Sequence, residues 1–468
     1  MSPRRPSWRK TVAKSAESRL AGAGVRPPSE LRARRTLRGI DEGINMNMQR
    51  FASTLSLLAA AAAACLADGA AAGSGSGTPV NAVEGLPFTG QVASYTSTAT
   101  LDERFVAQAH LDVLGRAAVV AELSAFGDFL GNGGTRTQVA QALLGSDEYR
   151  SGLTSSIYAA FLRRQANAAE LASGTALLNG GATDAELKAL VLGSSEYLAN
   201  QGGGTVHGFL TTLYSDVLGR ALEPVVENLF TQQLANGKTR TDVALTVLTS
   251  LEARQRLADE LYQRFLHRSA TPGEQQAAAS LLQNGGTDED MASTLVGSME
   301  YLANVPASFA TATIDWGDGS GLSAGAFNAG DVVGAHTYSE EGAYPLTVVV
   351  HDLDGTVALV GRASVADAPL SATSVSFSVL KKTTFTRTVA TFTDANPGGT
   401  SAEFSASIDW GDGHTSAGTI GRLAGRGFAV IGSHRYDVKG SYQIVVHITD
   451  TGGSTAAAVS SVSVTAKA

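Results

Sequence analysis

Four arginines recur along the chain, and each is followed 32 residues later by a glutamate. The arginines are Arg116, Arg164, Arg220 and Arg268, and the glutamates are Glu148, Glu196, Glu252 and Glu300. A guanidinium group can hold a carboxylate through two parallel hydrogen bonds, and an arginine at the C-terminus of a helix also interacts favourably with the helix dipole. The fixed separation therefore predicts structural ion pairs. A row of arginines that binds an anionic ligand is the alternative.

A second motif that could do chemistry is Asp-Trp-Gly-Asp-Gly, which occurs at 315–319 and again at 409–413. Its carboxylates can accept backbone N–H groups and so organise tight turns. Trp316 and Trp410 are predicted to be core residues. The alternative is an exposed indole that stacks on a sugar ring.

Asp352 and Asp354 precede a glycine and form the best candidate for a calcium loop. A calcium ion takes about six to eight oxygen ligands, and the local sequence supplies only a few of them. Calcium is therefore kept as a weak alternative, and no other cofactor is predicted.

The remaining candidate catalytic residues do not combine into a site. The eight histidines are scattered, and none has the H-E-x-x-H spacing of a zinc protease. The sequence has no G-x-S-x-G turn, and no repeat places a nucleophile beside a base. The single cysteine, Cys65, excludes a disulfide scaffold and a cysteine-built metal site. We predict that the protein is not an enzyme.

The arginines belong to four repeats of about 48 residues, predicted to be helical, between residues 98 and 305. Each repeat has an amphipathic segment that ends in arginine, an Asn-Gly break, a threonine that can cap the next helix and a closing Ser-x-Glu. A Gln or Glu three residues after the threonine predicts a capping box, and Asp there an imperfect one.

The arginine spacings are 48, 56 and 48, because residues 201–208 are inserted between the second and third repeats. The array is therefore two pairs with a period of 104 residues. We expect the four repeats to form one body, since a single repeat cannot bury its apolar face alone.

These repeats resemble the bacterial helical family known as domain of unknown function 4214, whose motifs are L-Y-x-x-x-L-x-R, N-G-x-[ST] and S-x-E-Y. The sequence departs from the family at His110 and at Ala253, where the family has tyrosine. The family is common in secreted, repeat-rich bacterial proteins. The resemblance implies scaffolding or interaction and supplies no catalytic residues.

After residue 305 the hydrophobic periodicity changes from helical to alternating. Two His-x-Tyr motifs recur 98 residues apart, and segments rich in Val and Thr between glycines predict antiparallel strands. These features resemble the polycystic-kidney-disease-type (PKD) immunoglobulin-like domain, which implies extracellular spacer or binding modules. The predicted fold class is multidomain α and β: an all-α helical repeat domain plus two Ig-like antiparallel β-sandwiches.

The second sandwich, residues 369–468, opens with a segment at 385–393 that has a matching copy far upstream at 88–96. No other candidate for this opening strand stands between the helices and the first Trp motif. We therefore predict that residues 79–97 supply the first strand of the first sandwich and residues 306–368 the remainder. The helical array, residues 98–305, is then an insertion in the first loop of that sandwich.

The N-terminal region predicts export. Residues 1–45 carry eleven basic and four acidic side chains and are interpreted as a basic leader or a misassigned start. Residues 46–72 have the short positive start, the apolar stretch and the small residues of a signal peptide, and residues 73–78 read as a Gly/Ser linker. Attachment of a lipid at Cys65 is an alternative.

The body that follows is acidic, with 23 basic and 39 acidic residues in 51–468, and this balance disfavours nucleic acid as a partner. We predict a secreted or cell-surface noncatalytic interaction or scaffold protein, with no transmembrane helix in the mature chain. Its partner would be an unidentified extracellular protein or polysaccharide. The alternative is an extracellular carbohydrate- or matrix-binding module of a larger system.

Overall fold

The structure is a computed structural model that describes residues 73–353, 355–425 and 427–466. The predicted leader and signal peptide, and with them Cys65, lie outside the described residues, as does Asp354. The described chain divides into a helical unit, residues 100–307, and a β unit made of the residues on either side of it.

The helical unit contains fourteen helices within the described residues. They are α1 (Leu101–Leu114), α2 (Val120–Gly131), α3 (Arg136–Leu144), α4 (Asp147–Leu162), α5 (Ala168–Asn179), α6 (Asp184–Leu192), α7 (Ser195–Asn200), α8 (Val206–Leu218), α9 (Pro224–Ala235), α10 (Arg240–Leu248), α11 (Leu251–Leu266), α12 (Pro272–Gln283), α13 (Asp288–Val296) and α14 (Met299–Asn304). No helix of the described part is long and apolar enough to cross a bilayer.

The repeated threonines begin helices α3, α6, α10 and α13, as the sequence predicts. Each threonine side chain accepts the backbone N–H three residues later, and the side chain at that position accepts the threonine N–H. The two aspartate versions are complete capping boxes, with Asp242 and Asp290 each accepting at 2.9 Å. The expectation that aspartate makes an imperfect box is therefore wrong, because the shorter side chain still reaches the N-cap N–H.

The four repeats close on one another. Helix α6 of the second repeat packs on α10 of the third, and α13 of the fourth packs on α3 of the first. The hydroxyl of Tyr197 donates to Asp216 at 2.8 Å, and 104 residues later Tyr301 donates to Asp112 at 2.6 Å. The fourth repeat thus makes with the first the same contact that the second makes with the third.

In the part of the chain that the structure describes, the β unit contains sixteen strands in two sheets of eight. The first β domain has β1 (Ser74–Gly77), β2 (Val80–Val83), β3 (Phe88–Thr96), β4 (Thr311–Asp315), β5 (Leu322–Asn328), β6 (Asp331–His336), β7 (Gly342–Asp352) and β8 (Gly355–Ala366). The second has β9 (Leu370–Ser374), β10 (Phe377–Leu380), β11 (Phe385–Asp394), β12 (Phe404–Asp409), β13 (Thr415–Arg422), β14 (Phe428–His434), β15 (Gly440–Asp450) and β16 (Thr455–Thr465).

Strand β3 belongs to the first β domain although the helical unit separates it from β4 in the sequence. It pairs antiparallel with β6, with Phe88 opposite His336 and Ser94 opposite Asp331. The sheet order is β1-β3-β6-β5-β4-β7-β8-β2, and the sheet of the second domain is β10-β16-β15-β12-β13-β14-β11-β9. The chain therefore leaves the first sheet after β3 and re-enters the same sheet at β4.

Two details differ from the sequence-based expectations. The segment interpreted as a Gly/Ser linker, 73–78, contains strand β1, which pairs with β3. Glycine is needed there for close approach, because a Cβ on Gly77 would run into the backbone carbonyl of Val360. The sheets are also not purely antiparallel, since β2 pairs parallel with β8 and β10 pairs parallel with β16.

Each β domain has its own apolar core. In the first domain the core joins residues of β3 and β6, such as Val92 and Val332, to Ile314 and Val348 of β4 and β7. The core of the second domain is built from the corresponding strands around Trp410. Alternate residues of the long strands point into these cores, which is the period that the sequence pattern predicts.

Candidate functional site

The repeated arginines and glutamates lie together in all four repeats. Arg116 holds Glu148 through its Nε at 2.6 Å and its Nη2 at 2.9 Å, and the other three pairs have the same two-pronged geometry. The arginine follows one helix of the repeat, and the glutamate stands in the first turn of the helix that the serine of Ser-x-Glu caps. Each ion pair therefore joins the two ends of a repeat.

A second carboxylate contacts the same guanidinium in three repeats, and the sequence analysis missed it. Glu122, Glu170 and Glu274 stand six residues after their arginines and accept from both Nη atoms at 2.7–2.9 Å. The signal was an R-x5-E spacing in three of four repeats. In the third repeat this position is Val226, and the second carboxylate beside Arg220 is that of Glu223, at 3.3 Å.

The electrostatics of these clusters follow from the hydrogen bonds. Arg268 lowers the pKa of Glu274 to about 2, and the hydrogen bond from Arg116 lowers the pKa of Glu148. A tyrosine ring covers the guanidinium in three repeats, with Arg164 5.3 Å from the ring centre of Tyr158. Since Nη1 also donates to a backbone carbonyl, the guanidinium has its donors engaged inside the repeat, and an anionic ligand would have to displace a carboxylate.

The Trp motifs form matching clusters in the two β domains. Trp316 and Trp410 are each 1% exposed, so neither indole offers a surface for a sugar ring. Each indole stacks on the histidine of the His-x-Tyr motif, with ring centres 4.8 Å apart for Trp316 and His336 and 4.7 Å for Trp410 and His434. The tyrosine of the motif donates to the tryptophan carbonyl.

The aspartates of these motifs shape the turns. Asp315 accepts the Gly317 N–H at 3.0 Å, and Asp409 accepts the corresponding N–H at 2.9 Å. The second aspartate of each motif accepts from the histidine ring, at 2.7 Å for Asp318 and 2.8 Å for Asp412. The indole, the imidazole and the carboxylate therefore hold one another in place.

Among the described residues, both carboxylate oxygens of Asp352 have hydrogen-bond donors as partners. One oxygen of Asp352 accepts the hydroxyl of Tyr95 at 3.1 Å, and the other accepts the N–H of Leu353 at 2.8 Å. A hydroxyl and an N–H are donors, so the carboxylate is used to tie the end of β7 to β3. The second candidate ligand, Asp354, lies outside the described residues.

An acidic cluster of Glu84, Glu341 and Asp367 lies at the junction of the two β domains, and no sequence motif predicted it. Glu84 is 4% exposed and accepts N–H groups of Glu341 and Ala368. Burial raises its pKa to about 7, although hydrogen bonds from Ala368 and Asn396 work in the opposite direction. Nearby, Asp367 of the first domain accepts the N–H of Ser454 of the second at 2.5 Å. The cluster therefore has a structural use at the junction between the two domains.

The helical unit contains a cavity of about 210 Å³ among α4, α6, α8 and α11–α13. Ala253, Leu257 and Lys188 line it, and the Lys188 ammonium lies 3.5 Å from a carboxylate oxygen of Asp288. Asp184, 4% exposed and close to this pair, has an Oδ1 atom without a hydrogen-bond partner. Burial raises the pKa of Asp184 to about 8, so its carboxyl group keeps a proton at neutral pH.

Comparison with known proteins gives limited matches. The model of the family described as "Domain of unknown function (DUF4214)" matches residues 91–153 and 189–257, which lie mostly in the first repeat and in the second and third. None of the curated proteins matches the chain.

Among solved structures, the chain is similar to the PKD domain of an M14-like peptidase from Thermoplasmatales archaeon SCGC AB-540-F20, with 26% identity over 21% of this chain and 91% of that one, at a TM-score of 0.15. It is also similar to the CbhA fibronectin(III)-like modules of Clostridium thermocellum, with 16% identity over 33% and 78% of the two chains and a TM-score of 0.17. Titin domains I67–I69 match at 14% identity over 34% and 55%, at a TM-score of 0.21. Scores this low carry no argument about function.

Proposed function

We propose that this protein is an exported, noncatalytic interaction or scaffold protein, in which a β domain presents a helical unit to an extracellular partner. The observation that carries the proposal is the insertion of the helical unit between β3 and β4, two strands of one sheet. A body attached by both ends to a separately folded domain is suited to presentation. Export rests on the signal-like segment at 46–72.

The contacts of the chemistry-bearing residues support a structural use for them. The arginines are held by glutamates of their own repeats, and each motif histidine is held between an indole and a carboxylate. Such groups stabilise the fold, and a ligand could bind them only by replacing their present hydrogen-bond partners.

We also propose that each β domain is an immunoglobulin-like sandwich of the PKD type. Support comes from the repeated motifs and from a core in which β3 and β6 face β4 and β7. Methyl NOEs between Val92 and Val348 in the first domain would test it, and their absence would contradict the two-layer arrangement.

The experiment for the main proposal compares the exported chain with a variant in which a short Gly/Ser loop replaces residues 98–305. We expect the variant to keep its folded β unit, because both ends of the replaced segment belong to one sheet. Fluorescence of the buried Trp316 and Trp410 reports this folding directly. Binding to native cell surfaces should fall at least tenfold in the variant.

Equal binding by the full chain and the variant would contradict presentation by the helical unit. If the variant also bound specific glycans on an array, the alternative of a carbohydrate- or matrix-binding module would be favoured. Turnover of any substrate by the full chain in a hydrolase screen would overturn the noncatalytic proposal. Mass analysis of the exported protein should find the mature N-terminus between about residues 65 and 73.

A further inference from the structure

The second β domain brings two histidines and an aspartate together at one edge. The ligand atoms of Asp412, His414 and His434 all lie within 4.8 Å of one another. Asp412 Oδ2 is 2.8 Å from His434 Nε2, and Asp412 Oδ1 is 3.2 Å from His414 Nδ1. The three side chains come from the loop between β12 and β13 and from the end of β14.

The first β domain has the same arrangement with one difference. Asp318 is 2.7 Å from His336 Nε2, which reproduces the aspartate–histidine pair of the second domain. The position of His414 is taken by Ser320, whose hydroxyl donates to Asp318 at 2.6 Å. The shared pair therefore serves the fold of both domains, and only the second domain adds another imidazole.

The added imidazole changes what the cluster can bind. Two imidazole nitrogens and one carboxylate oxygen are the donor set of catalytic-type zinc sites, whereas calcium takes oxygen ligands. Zn²⁺ bonds to such donors at about 2.0–2.2 Å in a tetrahedron, so the donor atoms stand about 3.3 Å apart. The two imidazole nitrogens lie 2.8 and 3.2 Å from different oxygens of Asp412, and one atom from each of the three residues lies within 4.8 Å of the others, so small side-chain movements can bring the three donors to this spacing.

The surroundings favour a preformed site with one adjustable ligand. His434 is stacked on Trp410 and its side chain is only 12% exposed, so its ring is fixed. His414 is 74% exposed and can turn towards an ion without disturbing the core.

We propose that Asp412, His414 and His434 bind one divalent transition-metal ion of the zinc class, and that the corresponding cluster of the first β domain does not. Three protein ligands leave a fourth position for water or for a donor group of a partner molecule. The site is independent of the proposed scaffold function.

The test measures zinc binding by the exported chain, purified without a histidine tag, using isothermal titration with ZnCl₂ and metal analysis after dialysis. We expect one zinc ion per chain and no comparable binding of CaCl₂. The variant His414→Ser should weaken zinc affinity at least tenfold while its unfolding midpoint without metal stays unchanged, because serine is the residue that the first domain has there. The variant Ser320→His should raise the stoichiometry from one ion to two.

A second readout distinguishes this site from adventitious binding elsewhere. Cobalt(II) bound to the wild-type chain should give the visible absorption of a tetrahedral ion, and His414→Ser should lose it. The exposed pair of His207 and Glu227, with Nδ1 2.6 Å from the carboxylate, is the control site. The proposal is overturned if the chain binds no zinc, if His414→Ser binds it unchanged, or if His207→Ala removes the binding.

Discussion

The two halves of the helical unit, α1–α7 and α8–α14, are copies displaced by 104 residues, and they keep most of their buried residues but differ at two positions near the centre of the unit. The contacts between repeats are kept in both, as the Tyr197–Asp216 and Tyr301–Asp112 pairs show. Two positions change: Tyr149 of the first half corresponds to Ala253 of the second, and Lys188 of the first half corresponds to Ala292 of the second. The contacts that close the unit are thus repeated, while the side chains at these two positions are not.

The difference between Tyr149 and Ala253 explains where the cavity lies. Tyr149 is partly buried, and this burial together with the charges of Asp184 and Glu289 raises the pKa of its hydroxyl, so the hydroxyl lies near the residues that begin α6 and α13. The corresponding Ala253 lines the cavity of about 210 Å³, and Lys188 reaches into it towards Asp288. Around Ala253 the unit therefore keeps unfilled space, beside a partly exposed ion pair between Lys188 of the first half and Asp288 of the second.

The largest expected effect comes from removing the ring of Tyr149, because the second half has only Ala253 at the corresponding position. Tyr149→Ala should lower the free energy of unfolding of the helical unit by about 3 kcal/mol, because an aromatic side chain is replaced by a cavity. Urea unfolding followed by circular dichroism measures it. Tyr149→Phe is the control and should cost much less, since the ring remains. A loss below about 1 kcal/mol for the alanine variant would mean that the ring does not fill this space.

The closing contacts should be equivalent in the two halves. Tyr197→Phe and Tyr301→Phe should each cost about 1.5–2 kcal/mol, as expected for a hydrogen bond to a charged acceptor. Each aspartate keeps another donor, Arg163 for Asp216 and Gln108 for Asp112, so the two variants are matched. If Tyr301→Phe left the urea midpoint unchanged while Tyr197→Phe lowered it, the fourth repeat would not close on the first in solution.

Placing a tyrosine and an alanine at the cavity should stabilise the helical unit. The double variant Ala253→Tyr/Lys188→Ala introduces the residue types of Tyr149 and Ala292 and should raise the free energy of unfolding by about 1 kcal/mol through cavity filling. Each single change should do worse than the pair, since Ala253→Tyr alone crowds the Lys188 side chain and Lys188→Ala alone enlarges the cavity with no ring to fill it. Thermal unfolding of the three variants measures whether the two effects add. If the effect of the double variant equalled the sum of the single effects, the two positions would be independent, which would contradict the proposed coupling.

The smallest expected effect concerns the carboxylates around the arginines. The pKa of Glu274 is lowered to about 2 by Arg268, with Glu300 also against that guanidinium and Tyr262 nearby. A lowered pKa contributes stability above the ordinary value near 4.5 and loses it as the pH falls towards 2. Glu274→Gln should therefore flatten the pH dependence of the unfolding midpoint in this range. The effect is small because the cluster is open to solvent.

The third repeat provides the matched control for that titration. Val226 stands where the other repeats have the second glutamate, so Val226→Gln should leave the pH dependence as it is in the wild type. An equal flattening by both variants would show that Glu274 does not titrate against Arg268.

The sequence predicted those features that depend on local spacing. Repeat boundaries, capping threonines and the Arg–Glu pairs 32 residues apart follow from motifs that recur, and recurrence can be read without a structure. The copy of 385–393 at 88–96 likewise pointed to β3 as a member of the first sheet. The strand nature of Ser74–Gly77 could not be read, because its glycines allow a close approach that only the neighbouring strand reveals.

The sites that sequence reasoning missed arise where distant segments meet. Burial raises the pKa of Glu84, and Glu341 and Asp367 raise it further, although neither of these residues belongs to a motif. In the sequence, His414 is one of eight scattered histidines. In the structure, β14 places His434 close to it. A comparison of the two Trp motifs, Ser320 against His414, was the available signal.

The insertion also decides how the molecule would carry tension. A pulling force applied at the two ends of the described chain enters the β unit at β1 and leaves it at β16. The helical unit connects β3 to β4, which are two strands of one sheet. It therefore bears none of the applied force for as long as both strands remain hydrogen-bonded in that sheet. Stretching would therefore have to dismantle the first β domain before any helix is strained, and the repeats would keep their shape on a molecule under strain.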